Sequence, residues 1–129
     1  MSERKTVLLI DDDEVMLELL EILVDAEGYD SQKVLNFEDG MEAVKLNSFA
    51  YVIADVFMTG MGGIEGIRHL KQRDPFIPVM AISGGFHEMS GDNAVEAPKT
   101  VGADTGLAKP FDTEQFSEAF AALRACGIT

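Results

Sequence analysis

The sequence predicts an α/β domain, a doubly wound parallel sheet of five strands with helices on both faces, and three observations carry that prediction. Apolar runs of strand length alternate five times with segments of helical spacing. The clearest run, Tyr51 to Met58 (YVIADVFM), is apolar on both faces, as a strand covered on both sides must be. Strict strand–helix alternation then demands parallel strands, because each right-handed crossover lays its helix on one face of the sheet or the other.

Thr6 to Ile10 is the first strand. It ends in Asp11-Asp12-Asp13-Glu14, acids that favour the amino-terminal end of a helix. Met16, Leu19, Leu20 and Leu23 recur on one face of that helix, while Glu18, Glu21 and Asp25 fall largely away from it. Gly28 stands where a helix C-cap would. A weaker strand, Ser31 to Leu35, precedes a second helix introduced by Asn36 to Gly40 and carrying Met41, Val44 and Leu46.

Asp55 closes the third strand, since Thr59-Gly60-Met61-Gly62-Gly63 is turn chemistry. Ile64, Ile67 and Leu70 mark a third helix, which must stop before Asp74-Pro75 because the residue before proline avoids the helical region. Pro78 to Ile82 is the fourth strand and delivers Ser83 to its carboxyl end, where Gly84-Gly85 opens a polar loop through Asp92. Asn93 to Val101 takes the fourth helix by its place in the alternation, short or kinked around Pro98. Ala103 to Ala108 is the last strand and leads to Lys109-Pro110-Phe111. Phe116, Ala119, Phe120 and Leu123 give the final helix, with Asp112 or Thr113 as its N-cap.

Composition narrows the class. A chain of 129 residues is one ordinary domain. Its 23 acidic against 10 basic residues, net −13, oppose contact with nucleic acid or anionic lipid. The run after Lys5 is too short for a signal peptide, and no stretch approaches a membrane span. A single cysteine, Cys126, forms no internal disulfide and fits a reducing cytoplasm. His69 and His87 have no Cys or His at metal-ligand spacing and read as exposed.

The chemistry lies at the strand ends. Asp11 and Asp12 follow the first strand, Asp55 the third, Ser83 the fourth and Lys109 the fifth, and in an open parallel sheet these carboxyl ends converge where ligands bind. Carboxylates brought together raise one another's pKa unless a cation joins them. Mg²⁺ answers that need, taking one or two carboxylates and leaving a position for a phosphoryl oxygen. Ser83 offers a hydroxyl and Lys109 a point charge to the other phosphoryl oxygens, and Asp55 is a carboxylate of the kind that forms aspartyl-phosphates.

In this order and spacing, the acidic pair Asp11-Asp12, Asp55 followed by Met58 and Gly63, Ser83 beside Gly84, and Lys109-Pro110-Phe111 resemble the receiver domains of bacterial two-component response regulators. The resemblance covers nearly the whole chain. It implies a flavodoxin-like (βα)5 sheet of strand order 2-1-3-4-5, occupying residues 1–129 as one domain with no output domain. It further implies that Asp12 and Asp55, with Asp11 through water and the Phe57 carbonyl, hold Mg²⁺. Asp55 would take phosphate from a histidine kinase or histidine phosphotransfer protein, Ser83 and Lys109 would respond to it, and the bond before Pro110 would be cis. A cytoplasmic phosphoacceptor of this kind catalyses only its own phosphorylation and dephosphorylation and signals by protein contact.

Some positions depart from the family pattern. Thr59 and Gly62 replace residues of the turn after Met58 without touching the chemistry. Gly106 stands where the family often has an aromatic that moves with the hydroxyl residue, so the signal would leave Ser83 through Gly84-Gly85-Phe86 and the Pro98 segment instead.

One rival comes from another class. Asp11-Asp12-Asp13-Glu14-Val15 also fits the D-x-D-x-[TV] motif of Mg²⁺-dependent haloacid-dehalogenase-like phosphatases, with Asp11 as nucleophile. That reading lacks a later acidic pair and a substrate cap, and it leaves Asp55 without a role. A non-phosphorylated interaction module need not keep the full set of acids, hydroxyl and lysine. A flavodoxin-like electron carrier would end its first strand in phosphate-cradling residues rather than acids.

Overall fold

The computed structural model describes residues 4–56, 63–83 and 102–126, with backbone only at residues 63, 64 and 83. Among them are five strands, β1 (Thr6–Ile10), β2 (Asp30–Val34), β3 (Tyr51–Asp55), β4 (Val79–Ser83) and β5 (Thr105–Ala108). Four helices accompany them: α1 (Glu14–Ala26), α2 (Phe37–Leu46), α3 (Gly63–Arg73) and α4 (Thr113–Cys126). The strands run parallel in the order β2-β1-β3-β4-β5, as predicted. Phe57, the turn from Met58 to Gly62, Gly84-Gly85, His87 and the helix expected from Asn93 to Val101 lie outside the described residues.

The two-residue period of the strands sorts the core into two layers. Leu8, Ile10, Val52, Ala54, Val79 and Ala81 face α2 and α3, while Val7, Leu9, Ile53, Met80, Ile82 and Leu107 face α1 and α4. Every buried apolar residue described in β1, β3 and β4 thus has a partner layer. Each fully covered aliphatic side chain of this kind contributes about 1.5–3 kcal/mol.

Local chemistry fixes where the helices begin and end. Asp13 caps α1, its carboxylate accepting from the amides of Val15 and Met16. At the other end Gly28, at φ 95°, donates to Asp25 O, and Tyr29 donates to Val24 O, which is a Schellman closure. Asp112 and Gln115 cap α4 reciprocally, each backbone amide donating to the other's side chain at 2.9 and 2.7 Å.

Several sequence expectations need correction. The buried face of α1 is Leu17, Leu20, Leu23 and Val24, not one including Leu19, which is 40% exposed. Rows at both 3.6-residue phases were apolar, and the row that meets β1 is the one set by the cap at Asp13. Helix α2 starts at Phe37 rather than near Met41, because the Asn36 side chain accepts from the Asp39 amide at 2.7 Å. Phe37 is fully buried, whereas Leu46, on the last turn, is 79% exposed. The last strand begins at Thr105, not Ala103, because the Val79 amide of β4 is taken by the Asp104 carboxylate at 2.8 Å, which also accepts from Lys71 Nζ at 2.7 Å, while the Asp104 amide donates to Val79 O.

Helix-to-sheet and helix-to-helix distances depend on two glycines. A Cβ on Gly40 would lie 2.8 Å from Ile10 Cδ1, and one on Gly66 would fall against the Phe37 ring. These close approaches bring α2 against the sheet and α3 against α2.

Candidate functional site at the carboxyl edge of the sheet

Parallel pairing brings the carboxyl ends of β1, β3, β4 and β5 to one edge. Ile10 pairs with Ala54, Asp55 with Ile82, and Ser83 with Ala108, so Asp11, Asp55, Ser83 and Lys109 end neighbouring strands. The Asp11 amide continues the β1–β2 ladder by donating to Val34 O at 3.2 Å, which fixes the backbone just where its carboxylate turns inward.

Asp11 and Asp55 are the buried polar residues of the described structure, at 1% and 8% exposure. Lys109 joins them: Nζ donates to Asp55 Oδ2 at 3.0 Å and to Asp11 Oδ2 at 3.2 Å. Asp11 Oδ1 is held by the Asp13 amide at 2.9 Å, so the residue that caps α1 also orients the site through its backbone. Asp12 is exposed, and one carboxylate oxygen from each of Asp11, Asp12 and Asp55 lies within 4.8 Å of the others. The bond between Lys109 and Pro110 is cis.

Electrostatics follow from this geometry. Burial holds the Asp11 carboxyl above the ordinary carboxylate range, the Asp13 amide opposes the shift, the charge of Asp55 adds to it, and Lys109 opposes it. For Lys109 burial works against the charged form, but the hydrogen bond and charge of Asp55, and then those of Asp11, outweigh burial and hold its pKa above that of an ordinary lysine.

The donor set is oxygen only, compact, and partly withdrawn from water. It suits a hard divalent cation of the Mg²⁺ type rather than a metal that seeks imidazole or thiolate. The expected Phe57 carbonyl lies outside the described residues, and of Ser83 only the backbone is described, one rung from Lys109. Gly106 of β5 pairs with Ala81 of β4 and borders, with Lys109, Pro110, Gln115 and Ala119, a cleft of about 600 Å³ beside β5. His69 is half-exposed, 3.7 Å from Glu65, and Cys126 is exposed. No helix of the described residues is long and apolar enough to cross a membrane.

Sequence reasoning placed the acids and the lysine together but missed two contacts. It assigned Lys109 to phosphoryl oxygens and gave no sign that it also bridges Asp11 and Asp55. It read Asp13 as a helix start only, and nothing in its side-chain type marks the backbone donor that holds Asp11.

Comparison with known proteins agrees with this arrangement. The family model of the response regulator receiver domain matches residues 7–121. The transcriptional regulatory protein FixJ of Bradyrhizobium diazoefficiens is 35% identical over 123 residues, covering 91% of this chain and 55% of its own. The autoinducer 1 sensor kinase/phosphatase LuxN of Vibrio campbellii is 30% identical over 109 residues, 79% of this chain and 13% of that protein. The chain therefore spans between 13% and 55% of the length of these curated relatives. Among solved structures, the receiver domain of a sensor histidine kinase from Pseudomonas aeruginosa PAO1, with a magnesium ion coordinated in its active-site cleft, superimposes with a TM-score of 0.79. It is 19% identical, over 98% of this chain and 100% of that one. Nothing in these matches supports the phosphatase alternative with Asp11 as nucleophile. With the sheet order, the convergent acids and the matched residues agreeing, the chain belongs to the response regulator receiver domain family.

Proposed function

We propose that residues 1–129 act as one phosphoacceptor unit in which Asp55 takes a phosphoryl group from a phosphohistidine of a sensor histidine kinase or a histidine phosphotransfer protein. The observation that carries this reading is the placement of Asp55, a buried carboxylate at the end of β3 within 3.0 Å of Lys109 and beside Asp11 and Asp12. An Asp55 oxygen bonds to phosphorus, the phosphorus–nitrogen bond breaks, and the imidazole leaves with a proton. Lys109 moves from carboxylate to phosphoryl oxygen, and Ser83 donates its hydroxyl to another.

Asp11, Asp12 and Asp55, with the Phe57 carbonyl, are the groups that would hold Mg²⁺. Bound there, the ion supplies charge neutralisation for the phosphoryl oxygens as they approach three carboxylates. The magnesium in the Pseudomonas receiver supports this assignment. Lys109 meanwhile limits the mutual repulsion of Asp11 and Asp55. The unit works in the cytoplasm, transforms no substrate beyond its own acyl phosphate, and signals by contact with a protein target.

Acid-quenched mass spectrometry after incubation with acetyl phosphate and Mg²⁺ tests the reading. One phosphoryl group on Asp55, absent from Asp55→Asn, is expected. Modification of Asp11, or none on either aspartate, would overturn it.

A further inference from the structure

The opposite edge of the sheet carries a second feature that phosphotransfer does not use. Two adjoining cavities of about 580 and 650 Å³ share Ser48, Phe49, Asp74 and Ile77 and form a groove beneath the amino-terminal ends of β1, β3 and β4. A five-residue strand separates it from the acidic site, roughly 16 Å at about 3.3 Å per residue. Phe76 lines the groove and is 82% exposed, the most exposed large apolar side chain of the described residues.

The charge of this groove runs against that of the chain. Arg4, Lys33, Lys45, Lys71, Lys109 and Arg124 each stand in an ion pair. Among the described residues Lys5, Arg68 and Arg73 do not, although acids outnumber bases 23 to 10 in the sequence. Lys5 and Arg73 both line the groove and both are exposed. Asp74, the acid between them, has its carboxylate turned to the Phe76 amide.

We propose that this groove binds an acidic peptide segment carrying one large apolar side chain, which lies against Phe76 and Phe49 while its carboxylates meet Lys5 and Arg73. A second copy of the chain fits worse. An isologous contact would set the unpaired Lys5 and Arg73 of one copy against the same cationic pair of the other. Acids elsewhere on the surface oppose the peptide little, since charges beyond about 8 Å are screened at physiological salt. Docking here is independent of the phosphoacceptor reading, because the groove shares no residue with the acidic site.

The probe is a fluorescent, acetylated hexapeptide of five glutamates and one phenylalanine, titrated into the full chain by anisotropy and by amide NMR shifts. Saturable binding is expected, with shifts confined to Lys5, residues 48–51 and residues 73–78, and none with a five-glutamine control. The double variant Lys5→Glu, Arg73→Glu weakens binding about tenfold or more, and so does Phe76→Ala. All three positions are exposed, and unchanged amide dispersion elsewhere confirms folding of the variants. No saturable binding, equal binding to the charge-reversed variant, or concentration-dependent dimerisation abolished by Phe76→Ala would each overturn the proposal.

Discussion

Lys109 stands between two carboxylates rather than against one, 3.0 Å from Asp55 and 3.2 Å from Asp11. Its substitution by alanine therefore removes a shared cation from a buried acidic pair. We expect Lys109→Ala to lose about 1–3 kcal/mol of stability in urea without Mg²⁺ and to recover part of it when Mg²⁺ is added. Phosphate should still reach Asp55, while partner affinity ceases to respond to it. An unaltered phosphorylation-dependent change in partner affinity would remove Lys109 from the signalling role.

Asp12 and Asp13 are neighbours with different duties, and calorimetry separates them. Asp12→Ala and Asp55→Ala should each weaken Mg²⁺ binding at least as much as the roughly tenfold that loss of an outer-shell partner costs. Asp13→Ala should leave affinity little changed, because its backbone amide still holds Asp11, yet cost about 1 kcal/mol of stability as the lost cap of α1. Equal losses of affinity at all three would show that the acids are assigned wrongly.

Gly66 tests the packing between α2 and α3. Gly66→Ala places a methyl group against the fully buried Phe37 ring and should destabilise the chain by about 1–3 kcal/mol despite alanine's better helix propensity. Gly66→Ala combined with Phe37→Leu should lose less than the two single changes added together. Additive losses would mean that the two positions do not meet.

Stability should fall in strong alkali through Tyr51. Burial, and then its neighbour Tyr29, push the Tyr51 phenol from 10.0 up to about 12. The folded state thus holds the proton more tightly, so this contribution is complete below pH 10 and disappears as pH rises to about 12. Thermal melts at pH 9 and pH 11.5 should show a smaller drop for Tyr51→Phe than for the parent chain. An identical drop in both would assign the alkaline loss to other groups.

The convergence of Asp11, Asp12, Asp55 and Lys109 was legible in the sequence because apolar runs set strand ends and parallel topology sets where those ends meet. The rotation of α1 was not legible. Met16 and Leu19 are as apolar as Leu17 and Val24, and only the cap at Asp13 and the seat on β1 choose between them. Asp104 was equally silent: it lies 25 positions from the Val79 amide it satisfies, and nothing local distinguishes it from a solvated acid. The replacement at Gly106 was visible as a missing side chain, whereas the cleft beside it exists only once α4 lies across β5.

Lys109 lies 98 positions beyond Asp11 and 54 beyond Asp55. A ribosome-bound chain accordingly carries both acids long before their shared cation has been synthesised. Until β5 joins the sheet, the two carboxylates lack the lysine that offsets their mutual repulsion, so the bridged form of the pocket waits on its most sequence-distant contact. An interrupted polypeptide ending ahead of Thr105 also lacks Leu107, Phe116, Phe120 and Leu123 of the layer over Val7, Ile53 and Ile82, and is thus expected to present no folded acceptor to a kinase.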